Sequence, residues 1–143
     1  MKFENYMILE FPSKSTNEAF ARAAVGCFAA QMDPNIEELG DIRTAVSEAV
    51  TNCIVHAYPD GLGLVTIRCR ILKEHILDIV IKDKGVGIAN VEQAMRPMFT
   101  TGGSDRSGMG FTIMESFMTS FDVHSEPGKG TTVHMRRKLK RRK

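Results

Sequence analysis

The sequence predicts an α/β fold, a two-layer sandwich with helices on one face of a mostly antiparallel mixed sheet. Three observations predict it. Leu64 to Ile71 and Leu77 to Ile81 alternate apolar and polar residues with the period of half-buried strands, and the short Lys73-Glu74-His75 link makes them a hairpin. Ahead of the hairpin, Leu39, Ile42, Val46, Ala49 and Cys53 recur at helical spacing. Beyond it, a helical stretch from Gly108 to Ser120 precedes two short strands around Pro127-Gly128-Lys129-Gly130.

The elements follow in order. Tyr6 to Phe11 is a short apolar strand. Ser15-Thr16-Asn17-Glu18 has the S-x-x-E form of a capping box, so a helix is expected from there to about Met32. Asp33-Pro34 offers an N-cap and an N1 proline for a second helix over Asn35 to Ala57, and Asp60-Gly61 marks the turn after it. In the hairpin, Val65, Ile67, Cys69 and Ile71 face one way while Thr66, Arg68 and Arg70 face the other. Asn90 to Arg96 reads as a short helix. Pro97 to Ser107 is polar, contains glycine and lacks periodicity, as expected of a mobile lid. Phe121 to Ser125 and Thr131 to Arg137 are the closing strands.

Composition bounds the function. A chain of 143 residues, 43% hydrophobic and 25% charged, is that of an ordinary globular domain, here assigned to residues 1–135. No apolar run approaches the ~20 residues of a membrane span. The start Met1-Lys2-Phe3-Glu4-Asn5 lacks signal-peptide form, so a cytoplasmic protein without a membrane partner is expected. Cys27, Cys53 and Cys69 lie in apolar patterns and read as buried thiols of a reducing compartment. Residues 136–143 hold seven of the nineteen basic residues, which leaves twelve against seventeen acidic ones in the body. No aromatic residue interleaves these charges to stack on bases. The tail is therefore read as a disordered, solvated end, with no direct nucleic-acid contact expected.

Three motifs carry the chemistry. Glu48, Asn52 and His56 repeat at i, i+4 and i+8 and project from one stripe of the second helix. A carboxylate and a carboxamide oxygen one turn apart suit a general base beside a hard-cation ligand, whereas His56 reads as structural. Asp83-Lys84-Gly85-Val86-Gly87 ends a strand; its carboxylate can accept from an adenine amino group while the glycines let backbone approach the ring. Ser107-Gly108-Met109-Gly110 opens a helix, whose unpaired N–H groups and dipole favour an anion. The chain has no G-x-x-x-x-G-K-[ST] loop. Phosphate charge must then be met by a metal, by backbone donors and by residues such as Arg106, Thr100 and Thr101.

The combination Glu48-x-x-x-Asn52, Asp83-x-Gly85-x-Gly87 and Gly108-x-Gly110 resembles the N, G1 and G2 boxes of the superfamily uniting gyrase, Hsp90, histidine kinases and MutL. Gly130-Thr131-Thr132 resembles its later glycine-threonine element. From about Glu10 to Val133 the chain is similar to the small stand-alone members, the anti-sigma factor serine kinases, in the branch found in spore-forming bacteria. The resemblance implies a Bergerat-type ATP-binding fold that binds ATP or ADP with Mg²⁺. It implies a homodimer that holds a sporulation sigma factor inactive and phosphorylates a small anti-anti-sigma protein on serine. By the family pattern Glu48 is the base, Asn52 the Mg²⁺ ligand and Asp83 the adenine acceptor. Gly85, Gly87, Gly108 and Gly110 are backbone contacts, and Thr100, Thr101, Arg106, Ser107, Met109 and Thr132 line the nucleotide site. Ala19, Phe20, Ala23, Ala24, Cys27 and Phe28 cluster near one side of the first helix and suit a dimer contact or a monomer core equally. An alternative from another class stays open, an ATP-gated binding module without kinase activity.

Overall fold

The computed structural model describes residues 3–91 and 110–141. The expected helix over Asn90 to Arg96, beyond Val91, and the lid over Pro97 to Ser107 lie outside them. Strand β1 (Phe3–Pro12) leads into helix α1 (Asn17–Ala29), a single 3₁₀ turn (Ala30–Met32) and helix α2 (Ile36–Asn52). One π turn (Cys53–Ala57) extends α2, and the β2 (Leu64–Leu72) and β3 (Ile76–Asp83) hairpin follows. Helix α3 (Gly110–Phe117) and strands β4 (Ser120–Glu126) and β5 (Gly130–Lys138) complete the described chain.

The sheet runs in the order β1-β2-β3-β5-β4, and all of these pairings are antiparallel. Its helix-facing side carries Val65, Ile67, Cys69, Leu77, Ile79, Ile81, Val133 and Met135, all buried. Against them pack Val25 and Phe28 of α1, Ile42, Val46 and Val50 of α2, and Met114 of α3. The helices thus cover one face, as alternation in the strands requires. Asp83 has the parity of Leu77, Ile79 and Ile81, so β3 delivers its carboxylate to the helix side at the strand's end.

Helix starts differ from expectation. Thr16 is the N-cap of α1 and makes no side-chain cap bond. Glu18 instead accepts from the Ser47 hydroxyl at 2.9 Å and pairs with Arg22 at 3.7 Å. A tertiary partner on α2 outcompetes the local capping box. Asn35, not Asp33, caps α2: its side chain accepts from the Glu38 N–H at 2.7 Å while Glu38 accepts from the Asn35 N–H at 2.9 Å. Asp33 closes the preceding 3₁₀ turn in the left-handed region, at φ 52°. The one-turn stripe expected to reach His56 also breaks, because α2 leaves α-helical register after Asn52.

The C-terminal segment is built into the fold. β5 runs three residues past Met135, to Lys138, and Leu139 is buried. The Leu139 N–H donates to the His75 carbonyl at 2.9 Å, and the Lys140 N–H donates to Glu38 at 2.9 Å. Arg137 meets Asp41 at 2.8 Å and also donates to the Phe117 carbonyl. Burial pushes the Glu38 carboxyl up, yet bonds from Asn35 and Lys140 and the charges of Arg137 and Lys140 hold it below its ordinary value. Charge alone reads these residues as a solvated end; their acidic partners come from distant elements.

On the uncovered face, one line of residues crosses four strands: Tyr6, Arg70, Asp78 and Arg136 are register partners. Asp78 is fully buried beneath arginines. It accepts from Arg136 Nε at 2.8 Å and Arg70 Nε at 3.2 Å, with His134 also hydrogen-bonded and Arg68 at 3.7 Å. Burial raises this carboxyl, but those bonds and the His134 charge outweigh it and hold Asp78 below the usual carboxylate value.

Candidate functional site

Two of the three motifs meet where the ends of α2, β3 and β5 converge. The loop after β3 is held against the π turn. The Ala57 carbonyl accepts from the Val86 N–H at 2.8 Å, and a Cβ placed on Gly85 would lie 2.1 Å from that carbonyl oxygen. Only glycine fits there. Gly87 has φ +75°, and a Cβ on it would lie 2.2 Å from the Glu126 carbonyl oxygen. The two glycines of the second motif therefore let this loop lie backbone to backbone against α2 on one side and the β4–β5 turn on the other.

Asp83 is the centre of this arrangement and is nearly buried. Its Oδ1 accepts from the Gly85 N–H at 3.0 Å and from the Thr131 N–H at 3.2 Å, while Oδ2 accepts from the Cys53 thiol at 3.4 Å. Burial, joined by the Asp83 charge and bond, pushes the Cys53 thiol far up, so it remains a neutral donor. The Tyr58 hydroxyl donates to the Leu64 carbonyl and accepts from the Lys84 N–H, both at 2.7 Å, and so ties the end of the π turn to the residue after Asp83. Burial raises the Tyr58 phenol, the Asp83 charge adding to it against the Lys84 bond. Ser125 donates to the Gly130 carbonyl at 3.0 Å and contacts the Thr131 hydroxyl at 2.8 Å; its oxygen accepts from the Ile88 N–H at 2.7 Å.

Glu48 and Asn52 sit on the last turns of α2, and α3 starts directly against them. A Cβ built on Gly110 would lie 3.3 Å from Glu48 Oε2 and 3.4 and 3.5 Å from the Asn52 amide atoms. The structure thus brings the first motif to the third at Gly110. Thr100, Thr101, Arg106, Ser107, Gly108 and Met109 lie outside the described residues. Thr132 is not brought to the site: it pairs with Lys82 and His124, on the uncovered face of the sheet. Thr131, which pairs with Asp83, is the threonine at the site. Strand parity with Val133 and Met135 could have told the two apart.

Sequence reading also passed over Cys53 and Tyr58. Cys53 carried no signal beyond its apolar spacing, because its partner lies thirty residues away in β3. Chemically, the site offers a buried carboxylate acceptor, a glycine-lined loop and a carboxylate–carboxamide pair at a helix start. Among the described residues no three His, Cys, Asp or Glu side chains cluster as metal ligands. A Mg²⁺ ion held by the Asn52 oxygen would take its other oxygens from phosphate and water, which suits its octahedral demand.

The chain matches the histidine kinase-like ATPase domain family over residues 11–137. It is 57% identical over 136 residues to a protein of Caldanaerobacter subterraneus subsp. tengcongensis named anti-sigma F factor, covering 94% of each chain. A protein of the same name from Clostridium acetobutylicum is 51% identical, with 95% of each covered. Among solved structures, the RsbU and RsbW domains of a Mycobacterium tuberculosis protein superpose with a TM-score of 0.72 at 16% identity, covering 97% of this chain and 34% of that one. The histidine kinase domain of Erythrobacter litoralis EL346 gives 0.57 at 26% identity, covering 72% of this chain and 45% of that one. At such identity the first likeness speaks for the fold alone.

Proposed function

Because the chain belongs to the histidine kinase-like ATPase family, in the branch of the anti-sigma F factors, we propose that it is an ATP-dependent regulator of a sporulation sigma factor. It holds that factor inactive, and it phosphorylates the factor's small anti-anti-sigma antagonist on serine. The observation that carries this reading is the meeting of Glu48 and Asn52 with the start of α3 at Gly110, beside the Asp83 loop.

In this reading the adenine amino group donates to Asp83, and the loop through Gly85 and Gly87 lies along the base. The start of α3 receives phosphate charge on backbone donors, with the helix dipole in support. Asn52 would hold Mg²⁺, which would supply positive charge against the phosphate oxygens. The serine oxygen of the antagonist attacks the γ-phosphorus, the bond to the β-bridging oxygen breaks, and ADP leaves. Glu48 accepts the serine proton.

The partner surface draws support from α1. Ala19, Phe20, Ala23 and Cys27 stay exposed, with Phe20 at 53%, so four of the six residues of that apolar cluster are left uncovered in the monomer. A second copy or a partner protein would bury it. Sedimentation equilibrium at micromolar concentration tests the homodimer, and a monomer alone would refute it.

The decisive assay incubates the protein with Mg-ATP and the antagonist and measures phosphoserine. Glu48→Gln keeps the shape of the side chain and removes its basicity, so transfer should fall by about 10²–10⁴-fold while ATP and sigma-factor binding persist. Binding without any transfer in the wild type would favour an ATP-gated binding module instead.

A further inference from the structure

Asp83 can discriminate between bases only if its carboxylate is held in one orientation. A terminal carboxylate torsion is broad and roughly two-fold, so the contacts made by its two oxygens set the plane in which it lies. Here Oδ1 is anchored by two backbone donors, the N–H groups of Gly85 and Thr131. Oδ2 is met by the Cys53 thiol at 3.4 Å. Cys53 is placed for this by the π turn, which begins at Cys53 itself, one residue after Asn52.

We propose that Cys53 is a positioning residue for base selection: its thiol holds Asp83 Oδ2 in the plane that receives the exocyclic amino group of adenine. This rests on the reading that Asp83 accepts from adenine. A thiol suits the task because it is a weak donor. It restrains the carboxylate while leaving most of the acceptor strength of Oδ2 to the base, whereas a carboxamide or ammonium at the same place would compete for it. The buried setting supports the effect, since a hydrogen bond to a charged acceptor counts for more away from water. Cys53 would thus couple the helix that carries Glu48 and Asn52 to the strand end that reads the base.

The test compares two nucleotides by calorimetric titration, ATP and purine riboside triphosphate, which lacks the amino group. The wild type should bind ATP at least about tenfold more tightly, the scale of one hydrogen bond to a charged group. In Cys53→Ala the ratio should fall to roughly threefold or less, and Cys53→Ser, which keeps a donor but a stronger one, should hold it between the two. Melting curves without nucleotide report on folding separately, because a packing role alone would lower stability and both affinities together without changing their ratio. A wild-type ratio in Cys53→Ala overturns the role of Cys53 and leaves Asp83 as the base acceptor. A wild-type protein that binds both nucleotides equally overturns the Asp83 reading, and the role of Cys53 with it.

Discussion

Gly85→Ala puts the smallest possible side chain where the structure has no room. The added Cβ would lie 2.1 Å from the Ala57 carbonyl oxygen and 2.6 Å from both the Ala57 carbonyl carbon and its Cβ. Ordinary contact begins near 3.4 Å, so the loop and the π turn must separate by more than an ångström. That movement strains the Val86 N–H bond to Ala57 at 2.8 Å and the Gly85 N–H bond to Asp83 at 3.0 Å. Overpacking of this kind costs about 1–3 kcal/mol, and a weakened hydrogen bond adds about 1 kcal/mol. A loss of about 2–4 kcal/mol should lower the melting temperature by roughly 8–16 °C in a domain of this size. ATP affinity should fall with it if, as proposed, the displaced backbone lies along the base. Gly40→Ala is the opposite case. Gly40 lies inside α2, and a methyl group there would meet nothing within 4 Å, so the substitution should stabilise the helix by about 1 kcal/mol and leave ATP binding unchanged. Calorimetric melting and ATP titration read both effects. A Gly85→Ala protein that melts with the wild type and binds ATP equally well would refute the close-approach argument.

Three further outcomes can be measured. Asn52→Ala should leave the protein folded but remove the Mg²⁺ dependence of ATP affinity; an unchanged metal dependence would take Asn52 out of the site. Asp78→Asn should cost about 1.5–3 kcal/mol at neutral pH, since it removes the buried counter-charge shared by the partly exposed Arg70 and Arg136. Because the folded carboxyl titrates below its ordinary value, its contribution is present above the unfolded carboxylate value of about 3.9 and is lost as pH falls through the depressed folded one. Urea midpoints below about pH 4 should therefore fall more steeply for wild type than for Asp78→Asn, and parallel curves would contradict the assignment. Iodoacetamide should spare Cys53 and Cys69 until the chain unfolds, whereas Cys27, exposed in the monomer, should label only while no second copy covers α1. Burial, with the Asp78 charge, pushes the Cys69 thiol to about 12, and labelling of Cys69 in the native protein would contradict that.

Residue spacing alone carries the two-layer architecture. Strand alternation set which face of β2 and β3 meets the helices, because successive side chains must point to opposite sides. Helical spacing placed Glu48 and Asn52 one turn apart, and the glycines marked where backbone must approach backbone. The same local signals misplaced what depends on distant partners. Glu18 left its capping box for Ser47, Leu139 and Lys140 were tied to His75 and Glu38 instead of fraying, and Cys27 stayed exposed. Thr131 rather than Thr132 reached Asp83 because the pairing of β5 with β3 fixes the register, and a shift of one residue turns every side chain to the other face. The π turn that breaks the His56 stripe, and the thiol that braces Asp83, exist only once α2 is packed against β3. Periodicity is a property of neighbouring residues and survives in the sequence. A hydrogen bond across thirty residues, or an ion pair across fifty-eight, is decided by which surfaces the folded core leaves in contact.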